Sequence, residues 1–217
     1  MKFPHEDAKY RTARNKLLKA EIDLRKQVEA VAALRRKLPP GGEVTEDYVF
    51  DGQDGKVRLS QLFTRGNTLV AYSFMYGPKM ERACPSCTSI LDSLDGAAAH
   101  LAQVTNLVVI AKSPLARILE HAKNRGWSHL RLLSSENNGY NRDYGAETPD
   151  GSQMPMFNVF VKGKSVRHFW GSELLYAKPE RGQDPRHADL IWPLWNVLDI
   201  TPAGRGKDFY PKLDYGR

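Results

Sequence analysis

The first forty residues place their hydrophobic side chains with the period of a helix. Apolar residues recur every seven positions and are separated by mostly charged ones, at Leu17, Leu24, Val31 and Leu38. Such a stripe predicts one amphipathic helix over residues 5–38. Two prolines and two glycines at 39–42 interrupt the pattern. The segment 1–42 is therefore predicted to be a basic helix followed by a linker.

Beyond the linker, short apolar runs alternate with helical patterns. Strands are predicted at 48–50, 57–59, 68–74, 106–112, 130–133, 154–164 and 165–170, and helices at 84–104 and 114–125. Strands that alternate with helices form a mainly parallel sheet, and the last two strands add an antiparallel edge. The pattern predicts an α/β domain over residues 43–170, in which a central mixed sheet is flanked by helices.

The last part of the chain, 171–217, has no long periodic pattern and is rich in proline, glycine and aromatic residues. It is predicted to be an irregular C-terminal arm with one short helix near 189–198. Aromatic runs at 167–170 and 191–195 are expected to pack this arm onto the domain. The polar loop 134–153, which contains Tyr140 and Tyr144, is expected to be solvated.

Composition and charge narrow the choice of partners. The chain has 217 residues, of which 41% are hydrophobic and 26% charged, a globular composition that excludes a disordered chain. The formal net charge is +7, and residues 1–38 carry 11 Lys and Arg against 5 Asp and Glu. Because acids are interspersed along this helix and no nucleic-acid motif accompanies it, a packing stripe is favoured over nucleic-acid binding. The stripe is suited to pack against the rest of the same chain or against the matching helix of a second copy in a homodimer.

The chain shows no sequence signal for a membrane or for secretion. No apolar stretch is long enough for a transmembrane helix. The first residues include Glu6 and Asp7 and lack the apolar core of a signal peptide. We therefore expect a cytoplasmic protein without a membrane partner. The two cysteines, Cys84 and Cys87, are too few for a disulfide-stapled secreted scaffold or a four-cysteine zinc site.

The two cysteines form a Cys-x-x-Cys motif that follows a predicted buried strand and opens a predicted helix. A helix N-terminus stabilises a thiolate on the first cysteine, so Cys84 is expected to be the attacking thiol. Cys87 lies one turn deeper and is expected to displace the bound partner from Cys84. Pro85 suits the first turn of a helix. Two alternatives stay open, namely ordinary core cysteines and half of a metal site.

The run from the motif to residue 163 resembles a thioredoxin-like fold. Its features are a strand, Cys84-Pro85-Ser86-Cys87 at a helix start, and Met154-Pro155 opening a strand that ends in Lys162-Gly163. In that family a cis proline packs beside the dithiol. The resemblance implies a cis Met154–Pro155 bond, and a substrate groove formed by Pro85, Ser86, Met154 and Pro155.

The hairpin predicted before the buried strand is similar to the peroxiredoxin-like branch of this superfamily. The chain resembles still more closely an uncharacterised group of predicted dithiol-disulfide oxidoreductases. The marks of that group are Phe74-Met75-Tyr76-Gly77-Pro78, the Cys-Pro-Ser-Cys motif and the run 199–206. The thioredoxin-like match covers about residues 44–170, and the match to the group covers most of the chain.

The sequence departs from both families at the site. A peroxidatic site has Thr or Ser three residues before its cysteine, where this chain has Glu81. An anionic side chain there opposes a thiolate, which argues against efficient peroxidase chemistry. Thioredoxin also has a buried acid in the strand before its motif, and strand 68–74 has none. Glu81, Asp92 and water are therefore left as candidate proton acceptors for Cys87.

These observations predict a thiol–disulfide oxidoreductase that uses Cys84 and Cys87 and needs no cofactor or metal. Its expected partners are a disulfide-containing protein or small thiol substrate and a reductant system. The first alternative is a metal-binding or metallochaperone protein that uses both cysteines and His168. The second alternative is a peroxidase of the peroxiredoxin type.

Overall fold

The computed structural model describes residues 2–184, 189–202, 206 and 208–215. Contacts divide the chain into two compact units, Met1–Pro39 and Pro40–Arg217. One long helix, α1 (Ala8–Arg36), makes up most of the first unit. The carboxylate of Asp7 caps this helix by accepting the backbone N–H of Tyr10 at 2.6 Å.

The apolar stripe of α1 lies on a helix without buried residues. Leu17, Leu24 and Val31 are 53%, 64% and 41% exposed. Burial of this stripe in a homodimer stays a prediction. Within the described part of the chain, no helix combines the length and the apolar character needed to cross a membrane.

The second unit is built on one seven-stranded sheet. Its strands along the chain are β1 (Val49–Gly52), β2 (Gly55–Arg58), β3 (Thr68–Phe74), β4 (Asn106–Ala111), β5 (Leu132–Ser134), β6 (Met156–Lys162) and β7 (Val166–Gly171). Their spatial order is β2-β1-β5-β4-β3-β6-β7. Strands β3, β4 and β5 run parallel, and every other pairing is antiparallel.

Helices complete the unit, namely α2 (Pro85–Leu101), α3 (Leu115–Arg125), α4 (Tyr140–Asp143) and α5 (Pro193–Asp199), with short 3-10 turns at Leu59–Gln61, Glu173–Leu175 and Asp189–Ile191. Two parallel βα crossovers place α2 after β3 and α3 after β4. A terminal antiparallel hairpin, β6–β7, then pairs with β3. This arrangement confirms the predicted thioredoxin-like fold.

The core forms two clusters, because successive side chains of a strand point to opposite faces of the sheet. The first cluster contains Tyr72, Phe74, Cys87, Leu91 and Ile118, and we call it the dithiol face. The second contains Phe50, Leu69, Tyr140 and Phe160, and we call it the opposite face. Strand β3 supplies both clusters, since Leu69 and Tyr72 are both buried on it.

The start of β6 differs from the sequence-based expectation. The described chain contains no cis peptide bond, so the cis Met154–Pro155 bond implied by the family resemblance is wrong. The strand also begins at Met156 and not at residue 154. The N–H of Met154 donates to the carbonyl of Ala146 at 2.9 Å, and Pro155 has no N–H to give to the sheet. The loop is thus held in place with the ordinary trans bond, which X–Pro pairs favour.

The expectation of a solvated loop before β6 is also wrong. Tyr140 is fully buried, and its ring packs edge-on against Phe50 with 5.3 Å between ring centres. The buried hydroxyl of Ser135 donates to the side-chain oxygen Oδ1 of Asn141 at 2.6 Å, and the side-chain NH2 of Asn141 donates to Oε1 of Gln153 at 2.9 Å. Because these bonds satisfy buried polar groups of the loop, the loop can bury its tyrosine.

The C-terminal arm packs against α2. Trp192 is buried, and its ring N–H donates to the hydroxyl of Ser89 in α2 at 3.1 Å. The ring of Trp195 lies edge-on to Trp192 at 5.4 Å and to Phe209 at 6.0 Å. The aromatic run near residue 192 therefore anchors the arm beside the helix that carries the cysteines.

Candidate active site

Cys84 lies at the N-terminal end of α2, just before the first helical residue, Pro85. Its N–H donates to the carbonyl of Met75 at 3.0 Å, which ties it to the end of β3. Its carbonyl accepts the N–H and the hydroxyl of Thr88, each at 3.0 Å. Two secondary-structure elements therefore fix its position, and its sulfur lies at the positive end of a helix dipole.

The surroundings of Cys84 favour its thiolate. The pKa of Cys84 is lowered to about 6, chiefly because the thiol of Cys87 interacts with its sulfur and also because the N–H groups of Cys87 and Ser86 do so. Partial burial acts in the opposite direction. At neutral pH, Cys84 is therefore mainly the nucleophilic thiolate.

Cys87 differs from Cys84 in burial and in charge. It is 1% exposed, and both thiols are free. Burial first, and then the neighbouring Cys84, raise the pKa of Cys87 well above its usual value. The pair thus consists of one reachable thiolate and one buried, protonated thiol.

Tyr72 lies beneath this pair in β3, and sequence reasoning did not single it out. It is 1% exposed and belongs to the same core cluster as Cys87. Its hydroxyl has no hydrogen-bond partner of good geometry among the described residues. Tyr72 and Cys87 belong to one core cluster, and each changes the pKa of the other: Cys87 raises the pKa of Tyr72, and Tyr72 lowers that of Cys87.

The two carboxylates proposed from sequence as proton acceptors are engaged elsewhere or exposed. Asp92 accepts hydrogen bonds from Arg125 at 2.5 Å and from the ring N–H of Trp127 at 2.8 Å. Glu81 is exposed, and its carbonyl accepts a bond from Arg117 at 3.3 Å. Neither contributes to the pKa of Cys87. Tyr72 could have been found by noting that it shares a strand face with Phe74, directly before the cysteine loop.

An arginine holds the loop between β3 and Cys84. The guanidinium of Arg117 donates to the carbonyl of Met80 at 2.6 Å and to that of Pro78 at 3.3 Å. It also lies 4.6 Å from the centre of the Tyr76 ring, a cation–π distance. Arg117 therefore fixes the loop that leads from β3 into the motif.

A segment at the C-terminal end lies along the motif, and we call residues 208–215 the C-terminal strap. The hydroxyl of Ser86 donates to the hydroxyl of Tyr210, and Arg82 pairs with Asp214. Arg125 also donates to the carbonyl of Leu213 at 2.8 Å. The strap and the motif border a cleft of about 690 Å³, whose lining includes Met80, Cys84, Pro85, Pro211 and Leu213. Of the family-like run 199–206, residues 203–205 lie outside the described residues.

The sequence-predicted site residues fall into two groups. Cys84, Pro85, Ser86 and Cys87 come together at the first turn of α2. Met154 and Pro155 precede Met156, which pairs with Ser73 near the end of β3. They are half-exposed and do not line the cleft beneath the strap.

His168, the third ligand of the metal-binding alternative, lies on the opposite face. Its ring stacks on Tyr144 at 5.7 Å, and its Nε2 is 2.8 Å from the amide oxygen of Asn158. In the part of the chain that the structure describes, no group of three His, Cys, Asp or Glu residues is arranged to hold a metal ion. The cysteines and this histidine are therefore not brought together.

The fold and the motif define a thioredoxin-fold protein with a Cys-x-x-Cys pair at the start of the helix after its central strand. The chain belongs to the family described as "Bacterial protein of unknown function (DUF899)", whose model matches residues 2–216. No curated protein matches the chain in sequence.

Solved structures with a similar fold include thioredoxins and peroxiredoxins. The exposed lipoprotein thioredoxin of Streptococcus pneumoniae gives a TM-score of 0.44 at 14% identity, over 69% of this chain and 99% of that one. A Cys-to-Ser mutant of PrxQ from Xylella fastidiosa gives 0.49 at 11% identity, over 74% and 96%. A peroxiredoxin-like protein from Aquifex aeolicus gives 0.46 at 14% identity, over 62% and 75%.

Proposed function

We propose that the protein is a thiol–disulfide oxidoreductase. The observation that carries this proposal is the contrast within the motif. Cys84 has a pKa of about 6 at a helix N-terminus, whereas the neighbouring Cys87 is buried and protonated. A thiolate beside a second thiol is the arrangement that exchanges disulfides, because one sulfur attacks and the other releases the product.

In the proposed reaction, Cys84 attacks one sulfur of a substrate disulfide. A bond forms between Cys84 and that sulfur, the substrate S–S bond breaks, and the first substrate thiolate leaves and takes up a proton. Cys87 then attacks Cys84, so that the Cys84–Cys87 disulfide forms and the second substrate thiol leaves. The substrate gains two electrons and the dithiol loses two, which an external thiol reductant restores.

The surroundings of Cys84 suit a disulfide that reaches it through the cleft beside the strap. The cleft of about 690 Å³ has room for a small disulfide or for one extended loop of a protein. A cytoplasmic setting, in which thiol reductants are abundant, fits this direction of reaction.

The test replaces each cysteine in turn in a disulfide-reduction assay with dithiothreitol as reductant. Cys84→Ser is expected to lower the rate by about 100-fold or more, to that of uncatalysed exchange, because the nucleophile is gone. In a single turnover without dithiothreitol, Cys87→Ser is expected to keep the first attack and to retain a mixed disulfide on Cys84, which mass spectrometry detects.

Ser93→Ala in α2 is the matched control, since Ser93 lies outside the motif and its hydroxyl donates only to the carbonyl of Ser89. It should reduce disulfides as fast as the unmutated chain. Equal activity of Cys84→Ser and the unmutated protein would overturn the proposal.

A peroxidase would use the same Cys84 thiolate, so the two functions are distinguished by comparing the two substrates in the unmutated protein. A hydroperoxide would oxidise Cys84 to a sulfenic acid and be reduced to an alcohol, and Cys87 would then displace water. The exposed Glu81 carboxylate near the motif opposes this path less than a buried one would. Peroxide consumption that exceeds disulfide reduction in the unmutated protein would favour the peroxidase.

A further inference from the structure

The second step of the proposed reaction has an electrostatic difficulty. Cys87 is 1% exposed, and burial raises its pKa well above the usual range. Its sulfur must nevertheless become a thiolate to attack Cys84, and a buried charge without a hydrogen-bond donor is costly. The backbone of Met75 supplies part of the stabilisation that the negative sulfur needs, and a side-chain donor near Cys87 adds to it.

The described structure contains one buried hydroxyl suited to this role. Tyr72 lies on the face of β3 that packs against Cys87, and its hydroxyl has no hydrogen-bond partner among the described residues. A buried hydroxyl left unpaired is itself unfavourable, so it has a donor available for a nearby acceptor.

We propose that Tyr72 is a positioning residue for the release step, in which its hydroxyl donates a hydrogen bond to the Cys87 sulfur as that sulfur becomes a thiolate. This inference rests on the proposed disulfide chemistry. The phenol of Tyr72 would stabilise the Cys87 thiolate, whereas Glu81 is exposed and Asp92 is bonded to Arg125 and Trp127.

The protonation state of Tyr72 suits a hydrogen-bond donor and not a general base. Burial, and then the charge of Cys87, raise the pKa of Tyr72 well above its ordinary value. The phenol therefore keeps its proton at neutral pH. Conversely, the interaction with Tyr72 lowers the pKa of Cys87 and partly offsets the effect of burial.

The step balances without a change at Tyr72. Cys87 loses its proton, directly or through water, to the substrate thiolate that leaves. The Cys87 sulfur forms a bond to the Cys84 sulfur, and the mixed disulfide bond breaks. Tyr72 donates a hydrogen bond to the Cys87 sulfur as it becomes a thiolate and attacks, and it ends the step with its own proton.

The experiment measures the two attacks separately in the full-length reduced protein. The substrate is a symmetrical nitrothiobenzoate disulfide, whose released thiolate absorbs visible light. Attack by Cys84 releases the first coloured thiolate in a step that depends on substrate concentration. Attack by Cys87 releases the second in a step that does not, and stopped-flow absorbance resolves the two.

Tyr72→Phe is expected to leave the first phase within about twofold and to slow the second. Loss of one hydrogen bond to a thiolate raises the pKa of Cys87 by about one to two pH units. Because a thiolate of higher pKa is also a better nucleophile, with a coefficient of about 0.4–0.5, the net slowing at neutral pH is about 3- to 15-fold. The slowing should diminish as the pH rises and reverse once Cys87 is ionised in both proteins, because the thiolate in Tyr72→Phe is then the better nucleophile.

Tyr140→Phe is the matched control, because Tyr140 is also fully buried with an unpartnered hydroxyl, but on the opposite face. It should change neither phase. An unchanged second phase in Tyr72→Phe, an equal slowing in Tyr140→Phe, or a slowing by the same factor at every pH would overturn the role of Tyr72.

A second measurement covers the case in which Tyr72→Phe weakens the fold. In Cys84→Ser, Cys87 is the one thiol left in the chain, so the pH dependence of its alkylation, followed by mass spectrometry, reports its titration. Adding Tyr72→Phe should move this titration to higher pH, and an unmoved titration contradicts the proposal. A failure of the proposed function is distinct from these outcomes, since the unmutated protein would then release no second coloured thiolate.

Discussion

The two faces of the central sheet hold similar polar groups with different surroundings. Each face buries a tyrosine with an unpartnered hydroxyl, Tyr72 or Tyr140, and each holds a histidine whose pKa burial lowers, His121 or His168. On both faces, the tyrosine and the histidine pack against other aromatic rings. Only on the dithiol face does the core cluster of the buried tyrosine also contain the two cysteines. The comparison teaches that a buried phenol gains a chemical role from the neighbour it faces, and not from burial alone.

The largest effect is expected when one buried phenylalanine on each face is replaced by alanine. Phe74 and Phe160 are 1% and 0% exposed, so truncating either to alanine should lower the free energy of unfolding by about 3–5 kcal/mol. Only Phe74→Ala should also change the alkylation rate of Cys84 per folded molecule. The reason is that Phe74 precedes Met75, whose backbone carbonyl accepts the N–H of Cys84. Urea unfolding and iodoacetamide kinetics provide the two readouts.

Equal effects of Phe74→Ala and Phe160→Ala on alkylation would show that the two faces are coupled and would break the comparison. A change in stability without any change in alkylation for Phe74→Ala would show that the Cys84 loop does not depend on the packing beneath it.

The pH dependence gives the next largest effect. The reactive form of Cys84 is the thiolate, and its pKa is about 6. Its alkylation rate should therefore be nearly constant above pH 7, halve at about pH 6 and then fall about tenfold for each further pH unit. The measurement is iodoacetamide modification across pH, followed by mass spectrometry.

His168→Gln is the control for this profile, because His168 lies on the opposite face and should not influence the thiol. A midpoint that moves with His168→Gln, or a midpoint near the ordinary pKa of a free cysteine, would contradict the assignment.

The smallest expected effect concerns the strap. Tyr210→Phe removes the hydrogen bond between Tyr210 and Ser86 and should loosen the strap beside the motif. Because an exposed hydrogen bond contributes little, the rate with a protein disulfide should rise only about twofold to threefold. Tyr176→Phe removes a comparable bond, to the carbonyl of Gly145 at 2.8 Å, away from the motif, and should have no effect. A slower reaction in Tyr210→Phe would indicate that the strap assists binding.

The parts of the site that arise from local sequence could be predicted. The apolar run 68–74, the motif and the helix start at Pro85 are adjacent in the chain, so patterning and helix-end chemistry were sufficient. The sheet and its antiparallel edge followed from the alternation of strands and helices.

The rest depends on residues that are far apart in the chain. The strap reaches the motif through the pair of Arg82 and Asp214, and no periodic pattern marks such a contact. The buried position of Tyr140 depends on a polar network with Asn141 and Gln153, whose residues suggest a solvated loop. Strand alternation places Tyr72 on the same face as Phe74, but only the fold shows that Cys87 packs on that face.

The position of Cys84 at the end of a helix has a consequence for the reduction potential. A thiol whose pKa is about 6 in the folded chain and about 8.5 when unfolded stabilises the reduced fold fully above pH 8.5, and this contribution is lost as pH falls through 6. At pH 7 it amounts to about 1.4 kcal/mol, which corresponds to about 30 mV for a two-electron couple. The disulfide form has no such thiolate, so the groups that lower the pKa of Cys84, namely the Cys87 thiol and the N–H groups of Cys87 and Ser86, also make the oxidised protein a stronger oxidant.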